Sequence, residues 1–155
     1  IPRGFMPFEI DGTNEGYAKA DSLINPIAYN EDIAAQGKDL YNKMCQHCHG
    51  KTGNGDGLVV SNGGFPPPPS YSTGNSSRGG KLSDLSAGKI YHTITYGLNM
   101  MGPHASQISS DDRWKIVYYV QELQGKKKEM PAIKDTSKVD IKPVSENSAE
   151  VENEK

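Results

Sequence analysis

The sequence predicts an all-α fold of three main helices, preceded by an extended arm and followed by a disordered tail. Three observations predict it. Apolar residues recur at helical spacing in three separate stretches. The first of these ends in the five residues Cys45-Gln46-His47-Cys48-His49. Only 34% of the 155 residues are hydrophobic, and there are 17 glycines and 10 prolines, so the side-chain core is thin for the length. The expected organisation is an arm over 1–29, a domain over 30–124 and a tail over 125–155.

The arm opens Ile-Pro-Arg-Gly-Phe-Met-Pro-Phe. Phe5, Met6 and Phe8 sit between prolines and cannot form a regular amphipathic helix. Three large apolar residues in eight suit an extended arm laid on the domain or on a partner. The first helix is expected from Glu31 to Met44. Asn30 is its N-cap, and Glu31 and Asp32 suit the positive helix start. Ile33, Gly37, Leu40, Tyr41 and Met44 share one face, with Gly37 permitting a close helix crossing.

Residues 50–82 read as loop, with a glycine run (Gly53, Gly55, Gly57) and the run Pro66-Pro67-Pro68-Pro69. The glycine run lacks the Lys-Ser/Thr of a phosphate-binding loop. The second helix is expected from Ala87 to Tyr96, capped by Ser86 and stopped by Gly97. Ile90, Tyr91 and Ile94 share its apolar face, which leaves His92 as an exposed histidine. The third is expected from Ser110 to Gln124, with Ser109 and Asp112 resembling a capping box. Trp114, Val117, Tyr118 and Gln121 form one stripe, and Ile116, Tyr119, Val120 and Leu123 an adjacent one, so this helix should be well buried. Tyr119 is placed to meet the Gly37/Tyr41 face, the glycine making room for a ring. Beyond Gly125, seven lysines offset seven acids with no aromatic residue and no periodicity, which predicts disorder.

Cys-x-x-Cys-His is the attachment signature of a c-type haem. Each thiol adds to a porphyrin vinyl group, and the histidine that follows coordinates the iron. Zinc needs further ligands, and Cys45 and Cys48 are the only cysteines. A thiol redox pair usually opens a helix after a strand, whereas this motif closes one. A carbonyl of the proline region is expected to accept from the other ring nitrogen of His49 and orient it. The loop Leu98-Asn99-Met100-Met101-Gly102-Pro103-His104 follows a helix some fifty residues later and can return over the opposite haem face. Met101, Met100 and His104 compete there for the sixth position, with Met101 favoured. Either methionine raises the reduction potential, and histidine lowers it.

A net charge of −2 carries no basic footprint for nucleic acid. No apolar run reaches about 18 residues, so no membrane-spanning helix is expected. The chain starts at Ile1 and is expected to be a mature or trimmed exported fragment, any lipid anchor lying upstream.

A helix before the motif, a looped middle, a methionine loop and a last helix carrying Arg113-Trp114 and Tyr119-Val120 together resemble class I cytochrome c over about residues 30–124. Pro2-Arg3-Gly4-Phe5, Cys48-His49-Gly50-Lys51, Ile90-Tyr91-His92, Ala105-Ser106-Gln107-Ile108 and Asp112-Arg113-Trp114 resemble the monohaem cytochrome c subunit of bacterial alternative complex III. That family's ligand methionine stands four residues before the Ala-Ser-Gln, which here is Met101. Family members often have proline directly after it, where this chain has Gly102. The resemblance implies one covalent haem c held by Cys45, Cys48, His49 and Met101. It implies a one-electron carrier rather than an enzyme, on the outer side of the bacterial inner membrane. Electrons would pass from other redox subunits of a quinol-oxidising membrane complex to a haem–copper terminal oxidase. The family's subunit is typically a lipoprotein. A freely diffusing periplasmic cytochrome, or a cytochrome domain of another respiratory oxidoreductase, would share the same motifs. The Ile1–Phe8 arm is the expected docking segment.

Overall fold

The structure, a computed structural model, describes residues 9–126. The expectations for Ile1–Phe8 and for most of the 125–155 tail lie outside them. The described residues form six helices: α1 (Asn14–Lys19), α2 (Glu31–Met44), α3 (Gln46–His49), α4 (Leu58–Ser61), α5 (Ala87–Tyr96) and α6 (Ser110–Leu123). Two 3-10 turns lie at Ala20–Ser22 and Leu82–Asp84. Isolated bridges pair Asn75 with Lys81 and Leu98 with Met101.

The three main helices start where a side chain satisfies their orphan amides. Asn30 Oδ1 accepts from Ile33 N at 2.8 Å, Ser86 Oγ from Lys89 N at 3.4 Å and Ser109 Oγ from Asp112 N at 3.2 Å. The Ser109 hydroxyl also donates to the Asp112 carboxylate at 2.9 Å.

Helices α2 and α6 cross at Gly37. A Cβ there would stand 2.1 Å from the carbonyl oxygen of Lys115, so the glycine admits the α6 backbone rather than the ring expected from the sequence. Tyr119 does meet Tyr41, edge to face at 5.0 Å. Tyr91 of α5 stacks on Trp114 of α6 at 4.0 Å. These residues, with Ile90, Ile94, Ile108, Ile116, Val117 and Val120, form the main core.

The arm is not extended throughout. Thr13 caps α1 by accepting from Gly16 N at 3.0 Å, and the chain then turns so that Ala20 is fully buried against α5. Gly88 of α5 makes this possible, since a Cβ there would fall 1.8 Å from the Ala20 carbonyl oxygen. The arm also covers His92, which is 0% exposed rather than solvated. Its Nε2 lies 2.8 Å from the Asp11 carbonyl oxygen, and its ring sits between Tyr17 and Tyr96. Further along, Asn25 Nδ2 donates to the Trp114 carbonyl at 2.9 Å, and Tyr118 OH donates to the Ile27 carbonyl. Residues 9–29 therefore close two faces of the domain.

Candidate functional site: an apolar cavity at the cysteine motif

Helix α2 ends at Cys45, whose φ of −122° leaves the helical range, and the next four residues form the single turn α3. Cys48, His49 and Gly50 amides close this turn onto Cys45 and Gln46 carbonyls. The turn is held from outside by the glycine run. Gly55 N donates to the His49 carbonyl at 2.9 Å and Gly57 N to the Cys48 carbonyl at 3.2 Å. Gly57 must be glycine for this, because a Cβ would lie 2.3 Å from the His47 carbonyl oxygen. The loop expected over 50–82 thus has internal structure. Helix α4 inside it is one turn built on the Gly57 carbonyl, too short to show a helical period.

On the far side, the loop after α5 makes a tight turn. Leu98 and Met101 exchange both backbone hydrogen bonds at 2.9 Å, with Asn99 at φ 54°. His104 N then returns to the Ile94 carbonyl at 3.0 Å. Met101 is half-buried and packed against the core, while Met100 is 65% exposed.

Between these two walls lies a cavity of about 680 Å³. Cys45, Cys48, His49, Met101 and His104 all line it, as do Pro66 to Pro69 and Tyr71. No Lys, Arg, Asp or Glu side chain lines it among the described residues. Such a space, apolar and as large as a cofactor pocket, exceeds the packing voids of an ordinary core.

The electrostatics follow from burial. The Cys45 thiol is pushed up to about 12, by burial first and then by Cys48. A thiol-exchange pair needs the opposite shift, towards thiolate. His49 is pushed down to about 4, by burial first and then by the charges of His47 and His104. The imidazole is therefore neutral at physiological pH, as a metal ligand must be. Its Nδ1 is buried without a hydrogen-bond partner. The expected proline carbonyl does not reach it. Pro68 instead turns its carbonyl to Gly55, 2.0 Å from where a Cβ would stand, and the His49 ring stacks on Tyr71 at 5.0 Å and 11°. Tyr71 had no signal in the sequence beyond its place just after the proline run. Among the described residues no group of three His, Cys, Asp or Glu is placed to hold a metal ion by itself.

The residues present fit a haem. Two free thiols, a neutral buried imidazole and a thioether face one uncharged cavity. The fold is that of a class I c-type cytochrome. The family model described as "Cytochrome C oxidase, cbb3-type, subunit III" matches residues 32–120, and the chain belongs to that family. Its cofactor is covalently bound haem c, and its role is electron transfer. Among solved structures, the chain is similar to a chain of the Kuenenia stuttgartiensis reducing HAO-like protein complex, at 31% identity and a TM-score of 0.50. The match covers 65% of this chain and 49% of the other, so this chain spans about half the length of that relative. No curated protein matches it significantly.

Proposed function

We propose that the protein is a monohaem electron carrier in which Cys45 and Cys48 hold the porphyrin, His49 is the proximal ligand and Met101 the distal one. The observation that carries this is the shared cavity, with the motif turn on one wall and the methionine turn on the other. The haem supplies a one-electron ferrous/ferric couple. The Leu98–Met101 bridge supports Met101 over Met100, because it fixes a half-buried Met101 while Met100 stays exposed. A lining without Lys, Arg, Asp or Glu among the described residues would limit reorganisation around the haem. With His49 and Met101 both holding the iron, a bound haem would have no open position for oxygen or peroxide, which favours a carrier over an enzyme.

Three further parts of the reading rest on the sequence resemblance. The protein works on the outer side of the bacterial inner membrane. It is anchored through a segment upstream of Ile1. It passes electrons from a quinol-oxidising alternative complex III to a haem–copper terminal oxidase. Likeness to a chain of a multi-subunit redox complex supports a subunit role and equally favours a second reading, a cytochrome domain of another oxidoreductase.

Pyridine haemochrome analysis of the purified chain tests the cofactor. The oxidised absorption spectrum tests the ligand. Met101→Ala should lose the long-wavelength band of a methionine–ferric bond, and Met100→Ala should keep it. The reverse pattern would move the assignment to Met100. Purification from native membranes separates the route readings by which redox subunits accompany the chain.

A further inference from the structure

Beside the main cavity lies a smaller cleft lined by Asn14, Tyr17, Ser77, Arg78, Leu98 and Asn99. Four of these, Tyr17, Ser77, Leu98 and Asn99, also line the main cavity, so the cleft is its polar mouth. Among the described residues Arg78 is the one lysine or arginine lining either space. Its guanidinium lies 4.2 Å above the Tyr17 ring. Its backbone is pinned by donation from Arg78 N to Ser76 Oγ at 3.1 Å. The Nη1 is buried and has no hydrogen-bond partner, and no carboxylate pairs with Arg78 among the described residues. Lys89 stands over the same ring at 5.5 Å, but Asp21 engages it at 3.2 Å. Asn99 Nδ2 donates to Ser77 Oγ at 3.1 Å, which ties the methionine turn to the Arg78 segment across the mouth.

A buried guanidinium nitrogen without a hydrogen-bond partner is costly, and the planar fork suits a carboxylate. The main cavity accepts a ring but, among the described residues, offers no lysine or arginine to the two propionates on a porphyrin's edge. We infer that Arg78, braced on Tyr17, is the anchoring site for a porphyrin propionate at the cavity mouth, with Ser77 and Asn99 as neutral neighbours. Arg78 is then a positioning residue that raises the reduction potential. Its charge offsets a carboxylate that would otherwise favour the ferric state, and it keeps that carboxylate ionised through neutral pH. The other titratable groups around the mouth are Tyr17 of α1, Asp21 of the 3-10 turn, and Lys89 and His92 of α5. Burial first, and the Arg78 charge to a smaller extent, lower the pKa of His92.

The inference rests on the proposed haem site. The first measurement is therefore the pyridine haemochrome of the full wild-type chain, whose absence would overturn both. With haem present, the midpoint potential is measured against pH for wild type, Arg78→Gln and Arg78→Lys. Arg78→Gln should have a lower potential at alkaline pH. It should also gain a pH-dependent slope in the neutral range, as the released propionate begins to titrate there. Arg78→Lys should restore most of the wild-type profile. An Arg78→Gln profile that overlays wild type, even with reduced thermal stability or weaker binding to an acidic partner, would overturn the inference and leave the haem site standing. Should Arg78→Gln fail to fold, resonance Raman of Arg78→Lys decides. The propionate bending mode should shift relative to wild type, and an unmoved mode would refute the contact.

Discussion

Two glycines five residues apart should respond oppositely to the same added methyl group. Gly97 ends α5 at φ 79° and ψ 176°, a region essentially confined to glycine. A Cβ there would lie 2.3 Å from the Met101 carbonyl oxygen and 2.9 Å from the Gly102 carbonyl carbon. Both contacts are with backbone, so no rotamer change relieves them. Gly102 has nothing within 4 Å of its would-be Cβ and no positive φ. Gly97→Ala should therefore cost about 1–3 kcal/mol in backbone strain, plus about 1–3 kcal/mol in overpacking. At roughly 4 °C per kcal/mol, the melting temperature should fall by about 10–20 °C. The contacted atoms belong to the turn carrying Met101, so the same variant should displace that turn, lose the methionine–ferric band and drop in potential. Gly102→Ala should change stability by less than about 1 kcal/mol, as an unstrained glycine-to-alanine exchange does, and keep the band. Thermal melts and oxidised spectra of the two variants side by side decide it. If Gly97→Ala kept both its melting temperature and its band, the link from helix cap to methionine turn would be wrong.

Gly37→Ala should destabilise despite the better helix propensity of alanine. The gain is about 1 kcal/mol, while the contact with the Lys115 carbonyl forces α2 from α6 and costs about 2–3 kcal/mol. Urea titration should show a lower midpoint, and an unchanged or higher one would sink the crossing argument. Ser109→Ala should cost about 1 kcal/mol through loss of the α6 cap, seen in the same titration with little change in the haem spectrum. The Asp112 carboxyl is held below the usual range, by Lys115 first at 2.8 Å and also by Ser109. Its folded value is depressed, so its stabilisation is present above the unfolded value of about 4 and lost as pH falls through the folded one. Asp112→Asn should narrow the stability gap between neutral and acid solution. An unaltered gap would mean the carboxylate contributes nothing.

The three main helices were legible because each carries its start in the sequence. Asn30, Ser86 and Ser109 sit where local side-chain geometry decides the boundary, so α2, α5 and α6 begin where those residues put them and α5 ends at Gly97. His92 was misread because a helical face is labelled exposed when its own helix has no apolar stripe there. What covers it is chain from more than seventy residues away, through the Asp11 carbonyl and Tyr17. Gly37 shows the same limit more finely. A glycine among apolar neighbours signals close approach, but whether a ring or a carbonyl arrives depends on the register of α6, which spacing in α2 cannot report.

The site divides along the same line. Cys45, Cys48 and His49 lie on one turn, and Met101 on a turn fastened to the end of α5. Two local structures joined to helices thus bring all four to one cavity. The partner of His49 and the cation at the mouth belong to neither turn. Tyr71 and Arg78 come from a Gly-, Ser- and Pro-rich stretch with no period, ordered by contacts to Gly53, Ser76 and Tyr17 that no motif encodes. That stretch adds little apolar mass to the thin core. It gives the cavity its ends instead: a ring against the imidazole and a guanidinium at the opening. A molecule whose centre is to be filled by an amphiphilic plate needs its polar end placed as firmly as its apolar walls. Here that placement falls to the segment least readable from sequence.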